Sequence, residues 1–213
     1  MNYLSRHFKY HRGSARRRSM AVELMANHNK KILFNLIDKC GTTTLRKTLP
    51  AYDYELIEID KNLSNDTEFN TLKFNSSKYK KFCFIREPKS RYMVGLFQYL
   101  NFHINISLDE LMSEIEENKI VFDSHTLPQN KFIINKFHEE DIVFIKFDSF
   151  SDSIVNIDGD IKVLPKLWSH IETDKGITMK LVKNIFDEFI DKSAFEEIYA
   201  KDFALYHSAR DFI

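Results

Sequence analysis

Glycine and proline are scarce in this 213-residue chain, at five and four, and cysteine is scarcer still at two. Cys40 and Cys83 cannot build a disulfide framework, so a reduced interior is the expectation. No stretch approaches the roughly 20 apolar residues that a membrane span needs. The basic start lacks the apolar segment of a secretory signal. There is no internal repeat and no low-complexity linker. With so few glycines and prolines, each one marks a place where the chain has reason to turn.

Apolar residues, by contrast, make up 43% of the chain, with phenylalanine prominent at 19, so disorder is excluded as the default. The length suits one substantial core. Lys plus Arg and Asp plus Glu balance at 31 each, which speaks against a wholesale nucleic-acid coat. The balance is uneven: Arg6, Lys9, Arg12, Arg16, Arg17 and Arg18 all precede the first acidic residue. Residues 1–25 therefore read as a basic N-terminal segment, either a solvated tail or a patch for a polyanion, a membrane surface or a partner. Residues 26–213 read as one domain.

Three short runs have the near-continuous apolar character of strands covered on both faces: Lys31–Ile37, Lys81–Ile85 and Ile142–Phe147. Tyr54–Ile59 alternates and reads as a half-exposed strand. Helices fit between them at Thr42–Leu49, stopped by Pro50, and at Ser90–His103. Ser107 and Glu110 form a capping-box pattern opening Leu108–Asn118. Ser193 and Glu196 repeat it before Ile198–His207. Met179–Ile190 carries apolar residues at helical spacing. The expected class is α/β, a central parallel sheet flanked by helices, with a helical C-terminal third.

Two strand ends carry chemistry. Residues 35–44 read NLIDKCGTTT. A strand, a glycine turn and a helix start form an anion-site geometry, because the first helical N–H groups have no partners of their own. Gly41 would let the backbone approach an anion, Thr42 and Thr43 would donate hydroxyls, and Lys39 would add a full charge. Thr44 reads as a helix residue first and a ligand second. The plain alternative is a threonine-capped helix with no ligand. The ATP-type loop G-x-x-x-x-G-K-[ST] is absent. Residues 82–97 read FCFIREPKSRYMVGLF, and a second strand ends there on Arg86. Arg86 and Arg91, with Ser90 at the helix start, could reach a second anion at the sheet edge where ligands bind. Pairing of an arginine with Glu87 is the structural alternative.

Taken in order, these elements resemble the sulfotransferases that use 3′-phosphoadenosine 5′-phosphosulfate (PAPS), and most of all the carbohydrate sulfotransferase branch. Lys39-Cys-Gly-Thr-Thr43 resembles the family's 5′-phosphosulfate loop, and Arg86-Glu-Pro-x-x-Arg91 its 3′-phosphate motif. Asp123-Ser-His-Thr-Leu-Pro-Gln129 resembles an Asp-x-His-x-x-Pro-Gln element. Phe144–Asp148 is similar to a later strand ending in an acidic residue, and Tyr199-Ala-Lys-Asp-Phe203 to a C-terminal Tyr-x-x-Asp-Phe. Two positions depart: Asp38 stands where the family usually has proline, and Val94 where it usually has a serine.

The resemblance implies a P-loop-like nucleotide-binding core and sulfuryl transfer to a hydroxyl or amine, with a carbohydrate or other hydroxyl-bearing acceptor and adenosine 3′,5′-bisphosphate as by-product. Lys39 would stabilise the leaving oxygen. Cys40, Gly41, Thr42, Thr43 and Thr44 would hold the 5′-phosphate, and Arg86, Ser90 and Arg91 the 3′-phosphate. His125 is the candidate base, since histidine titrates near neutral pH, with Asp123 or Glu87 as alternatives. No metal is demanded, because no His/Cys cluster has zinc spacing. Trp168 reads as a core or pocket residue, not a site. The absence of an anchor suggests a soluble cytoplasmic enzyme of bacterial or viral type. A phosphotransferase and a catalytically inactive anion-binding module are the competing readings.

Overall fold

The computed structural model describes residues 21–60, 78–102, 107–133, 141–162 and 177–211. Residues 1–20 and Trp168 lie outside them.

Five strands form one sheet: β1 (Ala21–Asn27), β2 (Ile32–Leu36), β3 (Glu55–Asp60), β4 (Lys80–Ile85) and β5 (Ile142–Lys146), in the order β3-β1-β2-β4-β5. The class is α/β as expected, but the sheet is mixed. β2–β4 and β4–β5 pair in parallel, whereas β1 pairs antiparallel with both β2 and β3. The expected all-parallel sheet is corrected by β1, which the sequence hid inside the segment read as a basic tail. Its polar Glu23 and Asn27 break the apolar run that marks the other strands, although Leu24, Met25 and Ala26 are fully buried. The boundary expected at residue 26 therefore falls inside a central strand.

The buried character expected of β2 holds at every position, and in β4 at all but its first. β5 is an edge strand, and only Ile142 and Ile145 in it are fully covered. Its free side is met by the chain after the last helix: Arg210 N–H donates to Phe144 O and Lys146 N–H to Arg210 O. That contact returns the C-terminal chain to the sheet.

The helices are α1 (Thr42–Thr48), α2 (Pro88–Phe102), α3 (Leu108–Glu116), α4 (Phe150–Ile157), α5 (Met179–Phe189) and α6 (Lys192–Ser208). α1 stops where expected, and Pro50 sits in a short 3-10 turn over Leu49–Tyr52. α3 opens with the expected capping box, in which Ser107 Oγ accepts from Glu110 N–H and the Glu110 side chain accepts from Ser107 N–H. The box expected at Ser193 is not formed. Asp191 caps α6 instead, accepting from Ser193 N–H and Ala194 N–H, so the helix starts at Lys192 and Glu196 lies too far in to close a box. Among the described residues, everything after Phe150 is helical apart from turns and the Arg210 contact.

Two buried clusters hold the molecule. One covers the sheet with Leu45, Leu49, Phe150, Ile154 and Leu205. The other lies between α2, α3, α5 and α6, where the Tyr92 ring meets Phe186, Phe195 and Tyr199 at centroid separations of 5.6, 5.1 and 5.8 Å. Such aromatic contacts add about 0.5–1.5 kcal/mol each beyond their burial. They fix α2 and α6, and those two helices position the residues described next.

Candidate functional site

The parallel strands β2, β4 and β5 end at one edge of the sheet. Past β2 the chain makes a tight turn in which Cys40 N–H donates to Ile37 O at 3.0 Å. Lys39 occupies the third position of that turn with φ 70°, and Gly41 follows at φ 84°. A left-handed lysine carries a backbone cost of about 1–2 kcal/mol that glycine would not. α1 then begins, and among the described residues the N–H groups of Gly41 to Thr44 meet no acceptor. The glycine turn and helix start expected from the sequence are therefore formed.

The details differ. Gly41 does not clear space for a ligand on its Cα side, because a Cβ there would lie 2.4 Å from the Phe150 ring. Phe150 is itself wedged against Phe84 at 4.7 Å and Phe147 at 5.3 Å. The Thr42 hydroxyl donates to Ile37 O at 2.6 Å and is buried, so it ties the turn instead of facing outward. Thr43 and Thr44 are half-buried, with hydroxyls that make no hydrogen bond among the described residues. The Cys40 side chain is fully buried beside Gln129, and that burial pushes its thiol up to about 11.

At the end of β4 several donors are already used, although Arg91 Nη2 is buried without a partner among the described residues. Glu87 folds over the start of α2 and accepts from Lys89 N–H and Ser90 N–H at 3.0 and 2.6 Å. It is a helix cap, which removes it from the candidate bases. Ser90 keeps only its hydroxyl for a ligand. Arg91, expected at a phosphate, is 1% exposed. Its Nε donates to Asp38 O and its Nη1 to Leu127 O, at 3.0 and 2.6 Å, so it pins the Lys39 turn to the segment carrying His125. Arg86 stays half-buried over the Phe147 ring, with Nη1 donating to Lys39 O at 3.3 Å. Its backbone N–H and C=O are both met by the Gln129 side chain, which extends the pairing of β4 by one residue.

The structure brings Lys39 and His125 together through a residue that the sequence reading missed. Lys39 Nζ donates to Gln98 Oε1. Gln98 Nε2 lies 3.2 Å from His125 Nε2, and His125 Nδ1 lies 2.6 Å from Asp123 Oδ2. A lysine ammonium can only donate, so the Gln98 carbonyl must face it and the amide N–H must face His125. That leaves His125 Nε2 as an acceptor and puts the ring proton on Nδ1, toward Asp123. The result is an imidazole nitrogen backed by a carboxylate, with its lone pair held by Gln98; proton abstraction there needs Gln98 to move off it. Burial, with Arg91 beside it, lowers Lys39 to about 8, partly offset by Asp38 and Asp123.

Other parts of the sequence pattern explain themselves here. The Tyr199 hydroxyl donates to Thr126 O, and Asp202 accepts from Gln129 N–H and Asn130 N–H at 2.6 and 2.9 Å. The C-terminal Tyr-x-x-Asp thus clamps the turn that carries His125. Gly95 does the same from the other side: a Cβ on it would lie 2.2 Å from His125 O. Arg91, Gly95 and Gln98 are spaced as one face of a helix, which is the signal that would have found Gln98. His28 lies outside this group, bonded to Tyr79 and Glu55.

Among the described residues no cluster of His, Cys, Asp and Glu could hold a metal ion, and no helix is long and apolar enough to cross a membrane. No family model, curated protein or solved structure matches this chain.

Proposed function

We propose that the chain transfers a sulfuryl group from PAPS to a hydroxyl or amine of an acceptor, a carbohydrate by preference. The observation that carries this reading is the line Lys39–Gln98–His125–Asp123 at the ends of parallel strands. It sets a cation for a leaving oxygen beside a base for an incoming hydroxyl, and in-line transfer needs both. The N–H groups of Gly41 to Thr44, unfilled among the described residues, suit the 5′-phosphate, and the parallel half of the mixed sheet would serve as the P-loop-like core. For the 3′-phosphate the residues that remain are Arg86 and the Ser90 hydroxyl. Arg91 acts behind them by holding the loop.

The test is transfer of labelled sulfate from PAPS to a panel of glycans, together with thermal unfolding. Adenosine 3′,5′-bisphosphate should raise the melting temperature, and ATP with magnesium should not. Stabilisation by ATP alone, with no sulfate transferred, would move the reading to phosphoryl transfer.

A further inference from the structure

We infer that Gln98 is a positioning residue that couples what Lys39 holds to the charge that His125 can carry. An amide has one accepting and one donating end. While Lys39 Nζ sits on Gln98 Oε1, the Nε2 end must face His125 and favours the neutral imidazole, whose Nε2 can accept a proton. A protonated His125 would set its own Nε2–H against the Gln98 N–H. The conflict is removed only if the amide turns over, and it can turn only once Lys39 has let go of the carbonyl. Oε1 then accepts from the imidazolium while Asp123 holds the other nitrogen.

The chemistry rests on the sulfuryl-transfer reading; the coupling itself does not. In that reaction Lys39 leaves Gln98, the amide turns off His125 Nε2, and the acceptor O–H gives its proton to that freed lone pair as the new S–O bond forms. The S–O bond to phosphate breaks, its electron pair stays on the leaving oxygen, and Lys39 settles on that oxygen. Once the product oxygen has moved away, Gln98 Oε1 can accept from the Nε2–H of His125. Before reaction Gln98 thus offers His125 a donor, and after Lys39 has moved it can offer an acceptor. The other charged groups acting on Lys39 are Asp38, Arg91 and Asp123, and the one bonded to His125 is Asp123. Asp123 therefore links the two by charge, while Gln98 is hydrogen-bonded to both.

The coupling is read without donor or acceptor, by following the ring nitrogens of His125 by NMR across pH in the ¹⁵N-labelled full chain. Releasing the amide with Lys39→Met should raise the His125 midpoint by about one pH unit, the worth of one hydrogen bond regained. In a Gln98→Met background the same substitution should leave the midpoint nearly unmoved. An equal shift in both backgrounds would mean through-space charge alone and would overturn the inference. Gln98→Glu keeps the shape and accepts at both ends, so it should hold His125 protonated to higher pH; an unchanged midpoint there would also overturn it. Loss of the NMR coupling with sulfate transfer intact would refute the Gln98 role and spare the proposed reaction. Coupling without transfer would do the reverse.

Discussion

β2 and β4 lie side by side and run the same way, yet they finish differently. β2 ends in a turn held by its own backbone, with a lysine in a left-handed conformation and four N–H groups that no acceptor fills among the described residues. β4 ends in a segment where Glu87 fills the start of α2 and Gln129 fills both backbone groups of Arg86. One end leaves its local N–H groups unfilled among the described residues, and the other has largely satisfied itself. Residue types that look alike in sequence, a strand followed by a cation and a helix, thus dispose of their local donors differently in the two places. What separates them is where the local donors go, and a motif does not state that.

The largest expected effect is at the end of β2. Lys39→Gly should lower sulfuryl transfer by about 10²–10³, the usual loss when one aimed electrostatic group is removed. Stability should stay within about 1 kcal/mol, because glycine relieves the left-handed backbone while loosening the unfolded chain. A large loss of stability with transfer kept would show that the lysine is structural. The same residue sets a pH limit. With Lys39 lowered to about 8, its charged form is lost as pH rises through that value, and transfer should fall on the alkaline side. Between about 8 and the ordinary lysine value of 10.5 the unfolded chain binds more protons, so this group makes stability rise with pH over that window. A rate that fell with pH while stability also fell would need another group to explain it.

Arg91→Met comes next, and it probes the end of β4. It removes two charged hydrogen bonds from the carbonyls of Asp38 and Leu127, in a site with 1% exposure. Stability in urea should drop by about 3 kcal/mol or more, since bonds to charged groups are worth about 1.5–3 kcal/mol each. Were Arg91 a phosphate ligand instead, donor affinity would suffer and the apo protein would keep its stability. Gly95→Ala follows, at about 1–3 kcal/mol of overpacking, offset by up to about 1 kcal/mol of helix propensity. Its side chain must push the His125 carbonyl away, so turnover should fall more than stability does. Unchanged turnover would mean that the position of His125 does not matter.

Much of this was legible from residue order. The strand–glycine–helix pattern located the Lys39 loop, and the Ser107 box located the start of α3, because caps and turns are local and a short sequence carries all their partners. What escaped was non-local. β1 is a strand because β2 and β3 flank it, not because its own polar residues favour one. Gln98 shares a helix face with Arg91 and Gly95, but a mid-helix amide there gains its meaning from the loop and the turn it bridges. Arg91 showed its charge in the sequence but not its burial. Gly41 showed a turn, while the ring of Phe150 that fills its open side comes from far along the chain.

The smallest expected effect tests the comparison itself. Glu87→Gln keeps an acceptor oxygen for only one of Lys89 N–H and Ser90 N–H, sets its NH2 against the other, and removes the negative charge from the start of α2. The weakened cap should cost about 1 kcal/mol or less of stability. If the end of β4 still receives an anion through Arg86 and Ser90, removing that carboxylate should tighten adenosine 3′,5′-bisphosphate by about 2–5-fold. That factor is what about 0.3–1 kcal/mol of terminal electrostatics amounts to. Adenosine 5′-monophosphate, which has nothing to place there, should bind unchanged. Equal tightening of both nucleotides would point to a diffuse charge effect. No change in either would mean that the two strand ends differ in kind and that only β2 faces the donor.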